Sequence, residues 1–134
     1  MYFKNTSATK NFILPAIAVG MGDLSGTITD PAEIRVVKNP TTGTIIDGQS
    51  NCDMIESRNF DSSSAPTADV FKGGQANTFT NGDDVILFYQ NQNGRLFATI
   101  DIIIPPTKSI GLTITPNAST GGNVYCAMVG YFED

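Results

Sequence analysis

The sequence predicts an all-β sandwich, on three observations. Its clearest segments alternate apolar and polar residues with period two, and turn residues punctuate the chain about every ten positions. No window repeats apolar residues at i, i+3, i+4 and i+7 over three turns. Strands patterned in this way each have one apolar face to hide, and two antiparallel sheets packed face to face hide them. The expectation is a single antiparallel, jelly-roll-like domain over residues 1–134, with about eight strands.

A chain of 134 residues buries roughly two thirds of its extended surface, enough for one core. Cutting it at Ser62-Ser63-Ser64-Ala65-Pro66 would leave two marginal pieces that two cysteines cannot both staple. Glu56–Gly74 therefore reads as a long loop within one domain. Residues 1–22 admit a second reading, as an amino-terminal arm.

The first strand is read at Asn11–Val19. Its run FILPAIAV, interrupted by Pro15, is far short of the roughly twenty residues that span a bilayer. It also lacks the basic start and long apolar centre of a signal peptide. Weaker strands follow at Glu33–Lys38, Gly43–Asp47, Cys52–Ser57, Asp69–Lys72 and Asn77–Thr80, with room for one helical turn in residues 51–60. From Asp84 the text DVILFYQ, NQNG, RLFATIDIIIPP reads as a β-hairpin. In its second run Leu96, Ala98, Ile100, Ile102 and Ile104 share one face, and Phe97, Thr99, Asp101 and Ile103 the other. Pro105-Pro106 ends it, since neither can donate to a ladder. Ile110, Leu112 and Ile114 then alternate with Gly111, Thr113 and Thr115. After the loop NASTGG, a last strand, expected inside a sheet, puts Val124, Cys126 and Met128 opposite Tyr125, Ala127, Val129 and Tyr131. Phe97, Ile103, Tyr125 and Tyr131 are thus expected on the surface, where a subunit contact would cover them.

Reacting groups are scarce. The formal charge is −5, and the eight Lys plus Arg are spread thinly, so no basic patch is available for nucleic acid or an anionic membrane. There is no histidine, which excludes Ser-His-Asp and Cys-His catalysis and imidazole zinc sites. Ser50, in GQSN, echoes the serine block of some carbohydrate esterases but has no base to activate it. Asp83-Asp84 after Asn81-Gly82 reads as a strand-entry turn, because the DxDxDG spacing of a calcium loop is absent. Asp53 and Glu56 could serve glycoside hydrolysis only if opposed across a cleft. Gly73-Gly74 lacks the lysine and helix of a phosphate loop. Phe60, Phe71 and Phe79 are the loop rings on which a sugar could stack, there being no Trp. Cys52 and Cys126 form no metal motif; Cys126 reads as a small buried hydrophobe, and the pairing of the two stays open. Asn5-Thr6-Ser7 and Asn117-Ala118-Ser119 fit the glycosylation pattern, which carries meaning only for a secreted chain. The residues point to no enzyme, no cofactor and no metal.

The stretches VVKNPTTGTIID, SRNFDSSSAPTADVFKGG and NGDD resemble a pattern found in small structural proteins of tailed bacteriophages: an NPxxGT turn, an Asn-Phe-(Gly/Asp)-Ser-Ser segment, a strand and a Lys-Gly turn. The part from IIIPPTKSIGLTITP to VYCAMVGYFED is similar to the closing strands of virion jelly rolls. Together they cover residues 35–134, with Asp61 where the pattern more often has Gly. The resemblance implies a head decoration or cement protein, a homotrimer, bound to the major capsid protein on the outside of the shell after synthesis in the host cytoplasm. Arg58, Phe60, Phe71 and Lys72 would be anchors from the central loop, Arg and aromatic residues being the usual energetic centres of interfaces. Phe97, Tyr125 and Tyr131 would be subunit or capsid contacts. Alternatives are a glycan-binding receptor or fibre-tip module, and a tail or connector component.

Overall fold

Period-two burial turns most of the described residues into strands. The computed structural model describes residues 1–22, 25–28, 31–48, 67–73, 78–90, 94–116, 118–120 and 123–133. In order these form β1 (Tyr2–Asn5), β2 (Asn11–Gly22), β3 (Ser25–Ile28), β4 (Ala32–Lys38), α1 (Thr44–Gly48), β5 (Ala68–Phe71), β6 (Asp83–Gln90), β7 (Arg95–Ile104), β8 (Ser109–Thr115), β9 (Ala118–Thr120) and β10 (Asn123–Glu133). A five-stranded sheet runs β5-β1-β8-β4-β6 and a three-stranded sheet β10-β2-β7, while β3 and β9 form a two-stranded ribbon. All pairs are antiparallel. The result is an all-β sandwich, jelly-roll-like in that the chain repeatedly crosses between its two main sheets.

The core lies between those sheets. Phe3, Ile34, Val36, Val70, Ile110 and Leu112 come from the larger sheet; Phe12, Leu14, Ile17, Val19 and Ile104 come from the smaller. The alternation read in β7 and β8 is present: Leu96, Ala98, Ile100 and Ile102 pack against this core beside Ile104, and so does Ile114 beside Ile110 and Leu112. At one end Phe3 and Phe12 have ring centroids 4.3 Å apart, and Phe132 meets Phe12 edge-on at 5.1 Å.

Pro15 stands in the central strand of the small sheet, where a missing N–H should be costly. Irregularities on both sides accommodate it. Between Leu14 and Ala16 the register with β7 shifts, Ile100 and Asp101 together facing Pro15; Asp101 there takes φ 46°. On the other side Gly130 of β10 faces Leu14 and Pro15. These bulges absorb the proline and change the inward phase of β2, from Phe12 and Leu14 to Ile17, Val19 and Met21.

Four expectations are corrected. Residues 1–22 are not an arm: β1 lies between β5 and β8, and β2 is the middle of its sheet. The expected 84–104 hairpin does not form. β6 pairs with β4 and β7 with β2, so the connection passes from one sheet to the other, and each strand finds on its own sheet a neighbour with the same inward face. Gly43–Asp47 is not a strand. Gly43, at φ 135°, accepts from the N–H groups of Ile46 and Asp47, and Thr44–Gly48 closes into one helical turn that buries Ile45. The last strand is at a sheet edge, because among the described residues β10 pairs with β2 alone. Cys52–Ser57 lies outside the described residues.

Asn5 fastens four segments. It is fully buried; its Nδ2 donates to the carbonyls of Lys10 (2.8 Å) and Ile104 (2.9 Å), and its Oδ1 accepts from Ser7 N–H (2.9 Å). Its backbone bonds Lys108 O and Thr107 N–H. The glycosylation pattern at Asn5 is therefore closed in the folded chain. Asn117 lies outside the described residues.

Candidate functional site

The register of β2 with its two neighbours arranges the outer face of the small sheet in rows. Tyr125, Gly20 and Arg95 lie side by side; next come Ala127, Ala18 and Phe97, then Val129, Ala16 and Thr99, and finally Tyr131, Ile13 and Ile103. The middle strand thus offers a floor of Gly20, Ala18 and Ala16, because small residues occupy three of its outward positions before Ile13 closes the far end. Large side chains stand on the flanks: Phe97 is 68% exposed, Tyr125 64%, Ile103 60% and Tyr131 57%. Between Phe97 and Arg95 on one side and Tyr125 and Ala127 on the other runs an open groove over Ala18 and Gly20.

A monomer's largest exposed apolar patch is usually only a few hundred Å², and such patches are commonly interaction sites. Aromatic rings are the preferred material, since each brings a large contact area with little side-chain freedom to lose. Here they are carried on hydrogen-bonded strands, so little further ordering is needed on contact. Charge is confined to the margins: Arg95 at one end, Glu133 at the other, and Asp101 on the edge strand β7. Arg95 has no ion-pair partner among the described residues.

Three of the expected contact residues, Phe97, Tyr125 and Tyr131, are thus brought onto one face. The others are not part of it. Phe71 is on the opposite sheet, half-buried, its ring stacked on Tyr2 at 5.7 Å and 10°. Tyr2 in turn meets Phe79, which covers Gly111. Lys72 follows β5 and is exposed. Arg58 and Phe60 lie outside the described residues, as do Ser50, Asp53 and Glu56. Sequence reading passed over the floor, although its signal is plain in PAIAVG: Ala16, Ala18 and Gly20 alternate with larger residues.

A smaller apolar strip on β6, of Val85, Leu87 and Tyr89, is bordered by charge. There Arg35 Nε donates to Glu33 at 2.5 Å and Nη1 to Asp84 at 3.0 Å. Glu33, then Asp84, raise the Arg35 pKa and keep the guanidinium charged. This exposed pair contributes little to stability but keeps the strip polar. Asn81 Oδ1 accepts from Thr41 and Thr42 N–H, and Gly82 takes φ 104°, so the NGDD stretch is a turn entering β6.

On the inner side Cys126 is a free thiol, half-buried, with Sγ 3.8 Å from Met1 Sδ. Burial raises its pKa above the ordinary value, against the pull of the amino-terminal ammonium. Among the described residues no group of three or more His, Cys, Asp or Glu could hold a metal, and no helix is long and apolar enough to cross a membrane. Comparison with protein-family models, curated proteins and solved structures finds no match.

Proposed function

We propose that this protein is a non-enzymatic structural component of a tailed-phage virion, a decoration or cement protein that adheres to the outside of the assembled head as a homo-oligomer. The observation that supports an adhesive role is the outer face of the small sheet, where Phe97, Ile103, Tyr125 and Tyr131 stand exposed around a floor of small residues. The virion setting comes from the resemblance of residues 35–134 to phage structural proteins. A ligand that binds the assembled shell better than loose subunits stabilises the shell by linkage, without any catalytic group.

Mixing the purified protein with undecorated capsids tests this. It is expected to co-sediment saturably and to raise the temperature at which the capsids open. Absence of binding at every salt concentration rules the role out.

One observation favours a second reading, a glycan-binding receptor module: Phe97 and Tyr125 flank an open groove, as rings that stack on sugars do. Saturable binding on a glycan array, lost in Tyr125→Ala, would displace the decoration role.

A further inference from the structure

We infer that the outer face of the small sheet is covered by a second copy of this chain, the two sheets packed face to face about a twofold axis running along β2. This deepens the reading above and rests on it only in taking the face to be adhesive. An isologous contact requires a surface complementary to itself. The rows supply one. Rotation about an axis parallel to β2 sets β7 of one copy over β10 of the other at the same level. Phe97, the most exposed ring, then meets Ala127 of the second copy, a large residue over a small one. Arg95 meets Tyr125, placing a guanidinium that has no ion-pair partner among the described residues over an aromatic face, and symmetry makes this contact twice. Ile103 meets Tyr131. The central strands face each other through Gly20, Ala18 and Ala16, whose lack of bulk lets the flanking rings interlock.

The other in-plane twofold, perpendicular to the strands, is poorer. It would lay β7 on β7 and β10 on β10, with Arg95 against Ile103 and Phe97 against Asp101, so that cation and ring lose their partners. Area agrees with a pair. Three strands are about 14 Å wide, and ten residues of strand about 34 Å long. Two such faces together cover on the order of 1,000 Å², the lower bound for a specific interface, before the relief of the rings is added. Charge agrees as well. Each copy carries −5, yet the middle rows are uncharged. Asp101, at the rim, comes opposite the Gly130 region of the second copy, where it keeps its water.

The pair contains two copies, against the three that the resemblance implies. Sedimentation velocity of the full chain at micromolar concentration, without capsids, is expected to give a dimer. Phe97→Asp is expected to weaken it by about thirtyfold or more, and Arg95→Glu by about fivefold. Adding Tyr125→Arg to Arg95→Glu should restore association, since each new carboxylate then faces a new guanidinium across the axis. Val85→Asp, on the other sheet, should leave the dimer intact. Circular dichroism and a thermal melt establish that each variant folds. If Phe97→Asp does not, the Arg95 and Tyr125 variants decide. A wild-type monomer, a trimer, or a dimer indifferent to Phe97→Asp overturns the inference. A dimer that ignores capsids removes only the decoration role; a monomer that binds capsids removes only the pair.

Discussion

Gly130 passes so close to β2 that a β-carbon built on it would lie 2.4 Å from the carbonyl oxygen of Ile13 and 2.5 Å from the Phe12 ring. The oxygen belongs to the backbone, so no rotamer change relieves the contact. Gly130→Ala is therefore expected to destabilise the fold by about 1–3 kcal/mol, the usual cost of overpacking. Gly22→Ala is the opposite case, since nothing lies within 4 Å of its β-carbon. It should be neutral, or gain up to about 0.5 kcal/mol from lost unfolded-state entropy. Paired urea melts of the two variants read the difference directly.

Asn5 supports a second expectation. Asn5→Ala strands the buried Ile104 carbonyl and the buried Ser7 N–H, each worth about 1–3 kcal/mol if left unpaired, and removes the part-buried bond to Lys10 O, so a loss of about 3 kcal/mol is expected. Asn5→Asp is informative about sign. The carboxylate still accepts from Ser7 but confronts two carbonyl oxygens, which raise its pKa in the folded state. Stability is then complete below the unfolded carboxylate value and falls as pH rises through the folded one. Melts across the acid range should show Asn5→Asp weakening with rising pH, whereas Asn5→Ala shows no such added slope.

Cys126 makes an alkaline prediction. Burial holds its thiol pKa above the ordinary 9.0. A raised folded value means that this contribution is intact below the unfolded pKa and is lost as pH rises through the folded one. In a Cys52→Ser background, iodoacetamide should label Cys126 slowly at neutral pH and rapidly once the chain is unfolded. Over the alkaline limb, Cys126→Ala should lose stability less steeply than its parent. Equal slopes would place the thiol in water.

Much of this architecture is legible in residue order because alternation is a local property. Leu96 to Ile104 declare an inward face in one glance, and Asn81-Gly82-Asp83 a turn. What is not local stays hidden. The runs flanking NQNG satisfy a hairpin and an inter-sheet crossing equally well, since either arrangement buries the same side chains. Tyr2–Asn5 is too short to carry a period, yet supplies a strand inside the larger sheet. Pro15 changes the phase of β2, which a pattern counted straight through FILPAIAV does not register. The same limit governs the adhesive face. Exposure of Phe97, Tyr125 and Tyr131 follows from their strands, but their convergence depends on the pairing of both strands with β2. Phe71 shares their chemistry and lies on the other sheet.

Thr107 provides the last expectation. Pro105 O accepts from Lys108 N–H at 3.1 Å, closing a turn in which Pro106 and Thr107 are the central residues. Thr107 has φ 67°, the positive value a type II turn requires at its third position. Glycine and asparagine take that conformation readily, whereas a β-branched residue is strained there. The left-handed region costs an ordinary residue about 1–2 kcal/mol, and Thr107→Asn should recover about 0.5–1 kcal/mol of it. Thr107→Gly relieves more strain but frees the unfolded chain, an offset of similar size, so it should gain less than Thr107→Asn. The Thr107 N–H bond to Asn5 O survives either change because it is made by the backbone. A melting temperature raised by a few degrees in Thr107→Asn supports this account; a lowered one means that the threonine side chain makes a contribution larger than the strain it carries.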